Sequence, residues 1–196
     1  MRKILLCLFA LLLLCGCTED PARVSAEELA ALRARYPYSD EVAHPLHTPD
    51  ETLCPDFQTY LSYFNEPYSD PSAYTLAVIA LTGDRFLNGT PRMSAKAVQI
   101  LWGDDLTAGE EFYLNFGLHA DDGMYEIFQK GARLVCFLKT QPNSDSLFVS
   151  KDRTWYLTED NVVLSIFSVR GLDETSGLYL DSFAQLVTDT MKQLAK

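Results

Sequence analysis

The sequence predicts an α+β protein: a small antiparallel β-barrel or sandwich flanked by N-terminal helices and a C-terminal amphipathic helix. Three observations carry this expectation. Residues 73–169 hold short β-rich runs separated by Gly, Asn and Asp turn signals. Before them, Phe57, Tyr60, Leu61 and Phe64 recur at i, i+3, i+4 and i+7. After them, Leu180, Phe183, Ala184, Val187, Met191 and Leu194 form one helical face, with Asp181, Gln185, Asp189, Lys192 and Lys196 opposite.

Taken in order, Thr18–Val24 reads as a short tether. Ser25 and Glu28 match a capping box, Leu29, Leu32 and Tyr36 follow at helical spacing, and Pro37 stops the helix. That helix either packs on the domain or extends a stalk. Tyr36–Pro55 is rich in Pro, Asp, Thr and His and reads as irregular. Pro55 suits the first residue of the second helix. Ala73–Thr82 is the first strand, broken at Gly83-Asp84, with Asn88-Gly89 offering a turn of positive φ. Met93–Trp102 is the second, with Val98, Ile100 and Trp102 expected on one face. Glu111–Phe116 is the third, and Ala132–Lys139, after Gly131, is the strongest. Leu147–Val149, Thr154–Leu157 and Val162–Val169 complete the set.

The N-terminus predicts export. Arg2 and Lys3 precede an apolar run from Ile4 to Cys15. As a helix that run reaches about 18 Å, short of a hydrocarbon core of about 30 Å. It therefore fits the apolar middle of a signal peptide. The junction Leu14-Cys15-Gly16-Cys17 resembles the lipobox of bacterial lipoproteins, with Cys15 a departure from the usual small or β-branched residue there. The resemblance implies cleavage after Gly16 and a diacylglyceryl thioether on Cys17. Two acyl chains give durable anchoring, at about 0.8 kcal/mol per buried CH₂. A plain signal peptide, or an uncut N-terminal anchor, is the alternative. Four segments follow: 1–16 signal peptide, 17–24 lipidated tether, 25–72 helical and irregular segment, 73–196 barrel-like domain with its terminal helix. The expected location is the outer side of the cell membrane, or an outer membrane where the envelope has two.

The chain carries 27 acidic against 16 Lys and Arg residues, a formal charge of −11. Cleavage would also remove Arg2 and Lys3. This balance excludes a nucleic-acid partner, whose phosphates demand clustered cations. It also predicts repulsion from anionic headgroups, leaving the Cys17 lipid as the sole contact with the bilayer. With 47% hydrophobic and 12% aromatic residues, the chain buries a substantial core.

Four stretches of the β region read Ala-Val-Ile-Ala-Leu-Thr-Gly-Asp, Val-Gln-Ile-Leu-Trp-Gly-Asp, Gly-Glu-Glu-Phe-Tyr-Leu and Lys-Gly-Ala-Arg-Leu-Val-Cys-Phe-Leu. In this order they resemble OB-type barrels similar to the netrin and metalloproteinase-inhibitor modules, over residues 73–169. The resemblance implies a barrel whose exposed face can bind oligomers. Those inhibitors act through an N-terminal Cys at a metal. Here Cys17 would carry lipid, so inhibition is not implied.

Chemistry-bearing clusters are sparse. His44, His47, Asp50 and Cys54 hold ligand types, but at irregular spacing stiffened by Pro45 and Pro49, and a solvated polar loop is the preferred reading of them. Cys54 and Cys136 form a disulfide or stay free thiols, the latter favoured by the apolar setting of Cys136. Asp104-Asp105, Glu110-Glu111 and Asp121-Asp122 flank glycines or turns, and neighbours along a strand point to opposite faces. No nucleophile elbow, phosphate loop, dinucleotide fingerprint or Cys-x-x-Cys is present. The expectation is a non-enzymatic interaction or envelope-associated lipoprotein, with no cofactor and no metal. The alternatives are a solute- or glycan-binding lipoprotein using Trp102, Trp155 or Tyr156, and an unrecognised hydrolase. Aromatic residues in strands more often fill a core.

Overall fold

The structure, a computed structural model, describes residues 20–38, 55–65, 74–88, 90–115, 127–140, 146–168 and 170–194. The elements are α1 (Ala26–Arg35), α2 (Phe57–Asn65), β1 (Tyr74–Asn88), β2 (Thr90–Trp102), β3 (Glu111–Asn115), β4 (Arg133–Thr140), β5 (Ser146–Leu157), β6 (Val163–Ser165), α3 (Arg170–Asp173) and α4 (Leu180–Leu194).

Five strands close into a barrel in the order β1-β2-β3-β5-β4, returning to β1. All neighbours are antiparallel except β3 and β5, which pair in parallel through Tyr113↔Ser146 and Asn115↔Phe148. The protein is α+β, built on a small OB-like barrel. β5 does double duty. Its first residues close the barrel on β3, and Trp155–Leu157 carry β6.

Two apolar layers share the sheet. In β1, Ala77, Ile79 and Leu81 point into the barrel, while Leu76 and Val78 point out under the helices. β4 repeats this, with Leu134, Cys136 and Leu138 inside and Val135 and Phe137 outside. A strand buried on both faces reads as a continuous apolar run, as both do. Ile127 and Phe128 join the barrel interior from the segment before β4. The outer layer is covered by Phe57, Tyr60 and Leu61 of α2 and by Phe183, Val187 and Met191 of α4. Each large side chain so buried stabilises by about 1.5–3 kcal/mol.

Several sequence expectations are corrected. β1 does not break at Gly83-Asp84 but runs on to Asn88, paired with β2 across a register shift between Leu81 and Arg85. A Cβ on Gly83 would lie 2.9 Å from the Ser94 Cβ, so this glycine allows close strand approach and ends nothing. Val98, Ile100 and Trp102 do not share a face. Register shifts at Leu76/Ala77 and Val78/Ile79 break the alternation, leaving Val98 exposed, Ile100 against the barrel interior and Trp102 against the helical layer. The two strands expected over 147–157 are one strand, and β6 ends at Ser165, short of the expected Val169. Gly103 does close a strand: at φ 85°, its Cβ would meet the Tyr74 carbonyl oxygen at 2.8 Å.

α1 packs and does not extend a stalk. Ser25 Oγ accepts from Glu28 N at 3.2 Å, the expected cap. Leu32 is buried with Val24, Val162 and Leu164. Ala22, Arg23 and Val24, expected in the tether, pair with the body. Val24 N donates to the Gly177 carbonyl at 2.9 Å, Tyr179 N donates to that of Ala22 at 3.0 Å, and Arg23 bridges Leu178. Among the described helices, none is long and apolar enough to cross a membrane.

Candidate functional site

α4 packs against β2, where Leu101 and Trp102 join the helical layer, but Phe86, Val98 and Tyr113 stay exposed among the described residues. In β3 the pleat turns Phe112 and Leu114 inward and Glu111 and Tyr113 outward. Ser94 pairs with Tyr113 across the β2–β3 ladder, and Phe86 of β1 pairs with Arg92, two residues before Ser94. Phe86 and Tyr113 therefore reach the same face from the two strands flanking β2. Their rings stand 5.5 Å apart at 80°, an edge-to-face pair. Phe86 is 37% exposed, Tyr113 39% and Val98 44%. Beside Tyr113 lies a shallow depression of about 160 Å³, with Thr82, Ser94 and Glu111 on its lining. Hydroxyls and a carboxylate next to an exposed ring can hydrogen-bond and stack on one flat ligand at once.

A second cluster ties the body together. Arg33 of α1 donates through Nη1 to the Ser165 carbonyl at 2.7 Å and through Nη2 to Ser165 Oγ at 2.8 Å and Asp173 Oδ1 at 3.1 Å. Tyr38 donates to the same Asp173 oxygen at 2.6 Å, and its ring lies 3.8 Å from the Arg33 guanidinium. Burial, then the bond to Asp173, pushes the Tyr38 phenol up to about 12. The hydroxyls of Ser165 and Ser176 are 2.9 Å apart and both bond Asp173. Aspartate, serine and arginine meet here, but each is spent on a neighbour, and the cluster serves cohesion.

The aromatic residues expected to line a ligand face are distributed differently. Trp155 is fully buried and is withdrawn from that role. Its ring packs 5.1 Å from Phe183 and 6.2 Å from Phe57, and Nε1 donates to Thr175 Oγ1 at 3.0 Å. It faces the helical layer because its strand position is outward on a side that α2 and α4 cover. Trp102 is half-buried against that same layer. Tyr156 is half-buried, its ring 5.6 Å from Tyr36. Among the described residues, the aromatic rings exposed side by side are Phe86 and Tyr113 instead. Tyr113 was visible in the alternation Glu111-Phe112-Tyr113-Leu114, whose even positions are the apolar ones.

Cys136 is a free, buried thiol. Thr154 Oγ1 donates to Cys136 Sγ at 3.6 Å, and burial pushes the thiol up to about 12. Cys54 lies outside the described residues, as do Cys17, His44, His47, Asp50, Asp121 and Asp122. Asp104 and Asp105 are exposed in the turn after Gly103, and Glu110 accepts from Thr107 N at 2.9 Å in a turn. Among the described residues, no three His, Cys, Asp or Glu side chains gather where a metal could be held.

No protein-family model matches this chain, and no curated protein matches it.

Proposed function

We propose that the protein is a membrane-anchored extracytoplasmic lipoprotein whose barrel is a non-enzymatic binding module, engaging its partner through the Phe86–Tyr113 face. The exposed edge-to-face pair carries the reading: apolar rings left at the surface of an acidic body are a place for association. The anchor rests on the Leu14-Cys15-Gly16-Cys17 junction. Three Cα steps from Cys17 to Asp20 span at most about 11 Å, so the tether holds the barrel beside the bilayer even against charge repulsion.

Mass spectrometry of the native N-terminus tests the anchor. Cys17 should come first, with an added diacylglyceryl mass, and Cys17→Ser should leave the membrane fraction. A chain beginning at Met1, or a Cys17→Ser variant that stays with membranes, refutes it.

A glycan ligand is the second reading, favoured by Thr82, Ser94 and Glu111 beside the Tyr113 ring. Oligosaccharides and cell-wall fragments should then raise the melting temperature. Tyr113→Ala should abolish that shift. Flat melting curves with every fragment reject this reading.

A further inference from the structure

A cleft of about 470 Å³ lies where the end of α1 meets the base of the barrel. This is the size range of small-molecule sites, roughly 300–1,000 Å³. Arg35 and Tyr36 line it from α1 and its C-cap, Arg133 from the start of β4, and Tyr156 and Glu159 from the end of β5 and the residues after it. The Tyr36 and Tyr156 rings, 5.6 Å apart and tilted by 49°, form an aromatic wall.

Both cations have neutral partners. The Arg35 guanidinium lies 5.8 Å from the centre of the Tyr36 ring. Arg133 Nη2 donates to Asn161 Oδ1 at 3.0 Å. Asn161 is itself fixed, with φ 59° in the turn between β5 and β6 and its carbonyl accepting from Leu180 N. The Arg133 fork is thus oriented by a rigid turn. Among the described residues neither guanidinium forms an ion pair, although the chain holds 27 carboxylate side chains. Glu159, the one acid lining the cleft among the described residues, is exposed and bonded to neither arginine.

Two arginines, one of them held by Asn161, against one glutamate give the described lining beside this aromatic wall an excess of positive charge, in a molecule of formal charge −11. A guanidinium matches the paired oxygens of a carboxylate or phosphate, and also stacks on flat groups. We infer that this cleft binds a small organic anion: a carboxylate or phosphate carried on a planar, largely apolar body. The site is separate from the Phe86–Tyr113 face and does not depend on the anchor.

Calorimetric titration of the full chain tests this with phenyl phosphate, benzoate, phenol and inorganic phosphate. Phenyl phosphate or benzoate should bind, and phenol and inorganic phosphate should bind at least about tenfold more weakly, since each lacks half of the recognition. Preference for phenyl phosphate over benzoate assigns the head group as phosphate, and the reverse assigns carboxylate. Arg35→Gln and Arg133→Gln should each weaken binding about tenfold, while Glu159→Gln should tighten it several-fold by removing an opposing charge. Melting of the unliganded variants reports on the fold, and Arg35→Gln, at an exposed position, keeps the test open if Arg133→Gln disturbs the turn. Failure of both organic anions to bind overturns the inference. So does equal binding by the Arg35→Gln variant, or an affinity that Glu159→Gln lowers.

Discussion

Nη2 of Arg33 donates to Oδ1 of Asp173 at 3.1 Å, joining α1 to α3 across 140 positions of sequence. The arginine side chain is 14% exposed and the aspartate 42%, so one partner is largely desolvated and the other half wet. The pair brings the N-terminal helix into the same cooperative body as the barrel. Removing the cation leaves Asp173, Ser165 and Ser176 without their shared donor.

Arg33→Ala should therefore destabilise the fold by about 2 kcal/mol, below the range for a fully buried broken pair because Asp173 keeps solvent contact. Arg33→Lys should recover less than half, since an ammonium cannot reach Ser165 and Asp173 with one planar fork. Chemical denaturation with an unchanged slope checks both. A wild-type midpoint in Arg33→Ala would show that α1 is not held by this pair.

Tyr38 predicts an alkaline loss of stability. Its phenol is raised from 10.0 to about 12, first by burial and then by the bond to Asp173. The folded state holds this proton where the unfolded chain releases it. The stabilisation is present in full below pH 10 and is lost as pH rises toward 12. Denaturation at stepped alkaline pH should show that decline, shallower in Tyr38→Phe by one residue's share. An identical decline in the variant refutes the assignment.

Asp56 predicts the acid limb at the start of α2. Its carboxylate accepts from Thr59 N at 2.7 Å, and bonds from the Thr59 backbone and side chain hold it below 3.8. A depressed carboxylate stabilises above its unfolded value, and that contribution fades as pH falls through the lower folded value. Asp56→Ala should cost about 1 kcal/mol at neutral pH. Asp56→Asn should keep most of the cap but lose its share of the acid dependence. Urea midpoints measured at neutral and acid pH separate the two.

Cys136 should be inert while the chain is folded. Burial inside the barrel raises its thiol to about 12, leaving almost no thiolate at neutral pH. Alkylation followed by peptide mass mapping should find Cys136 unmodified in the native protein and modified in denaturant. Labelling at comparable rates in both states would mean that the barrel opens readily.

Much of the local structure was legible in sequence. Ser25 and Glu28 announce α1 three residues apart, and the final helix shows its apolar face over four turns, because caps and periodicity act within a few residues. The continuous apolar runs of β1 and β4 even record burial on both faces. The long β1 was not legible: Gly83 breaks a run in sequence, yet in space it is where β2 comes too close for a Cβ. The strand pair that closes the expected barrel was not legible either, since Tyr113 and Ser146 pair across a long intervening segment with no local cue.

The candidate face shows the same division. Alternation in Glu111–Leu114 already points Tyr113 away from Phe112 and Leu114. Nothing along the chain says that α2 and α4 cover the outward side of β5 while, among the described residues, Tyr113 on β3 stays exposed. By itself the sequence determined the α+β class, where the two longer flanking helices and the β region lie, and the acidic balance, since propensity, pleat and composition are local or additive. Only the tertiary structure decided that Trp155 is core, that Phe86 meets Tyr113, and that Arg35 and Arg133 line one cleft. Those outcomes depend on which layers pack together, and that is settled by contacts between residues far apart in the chain.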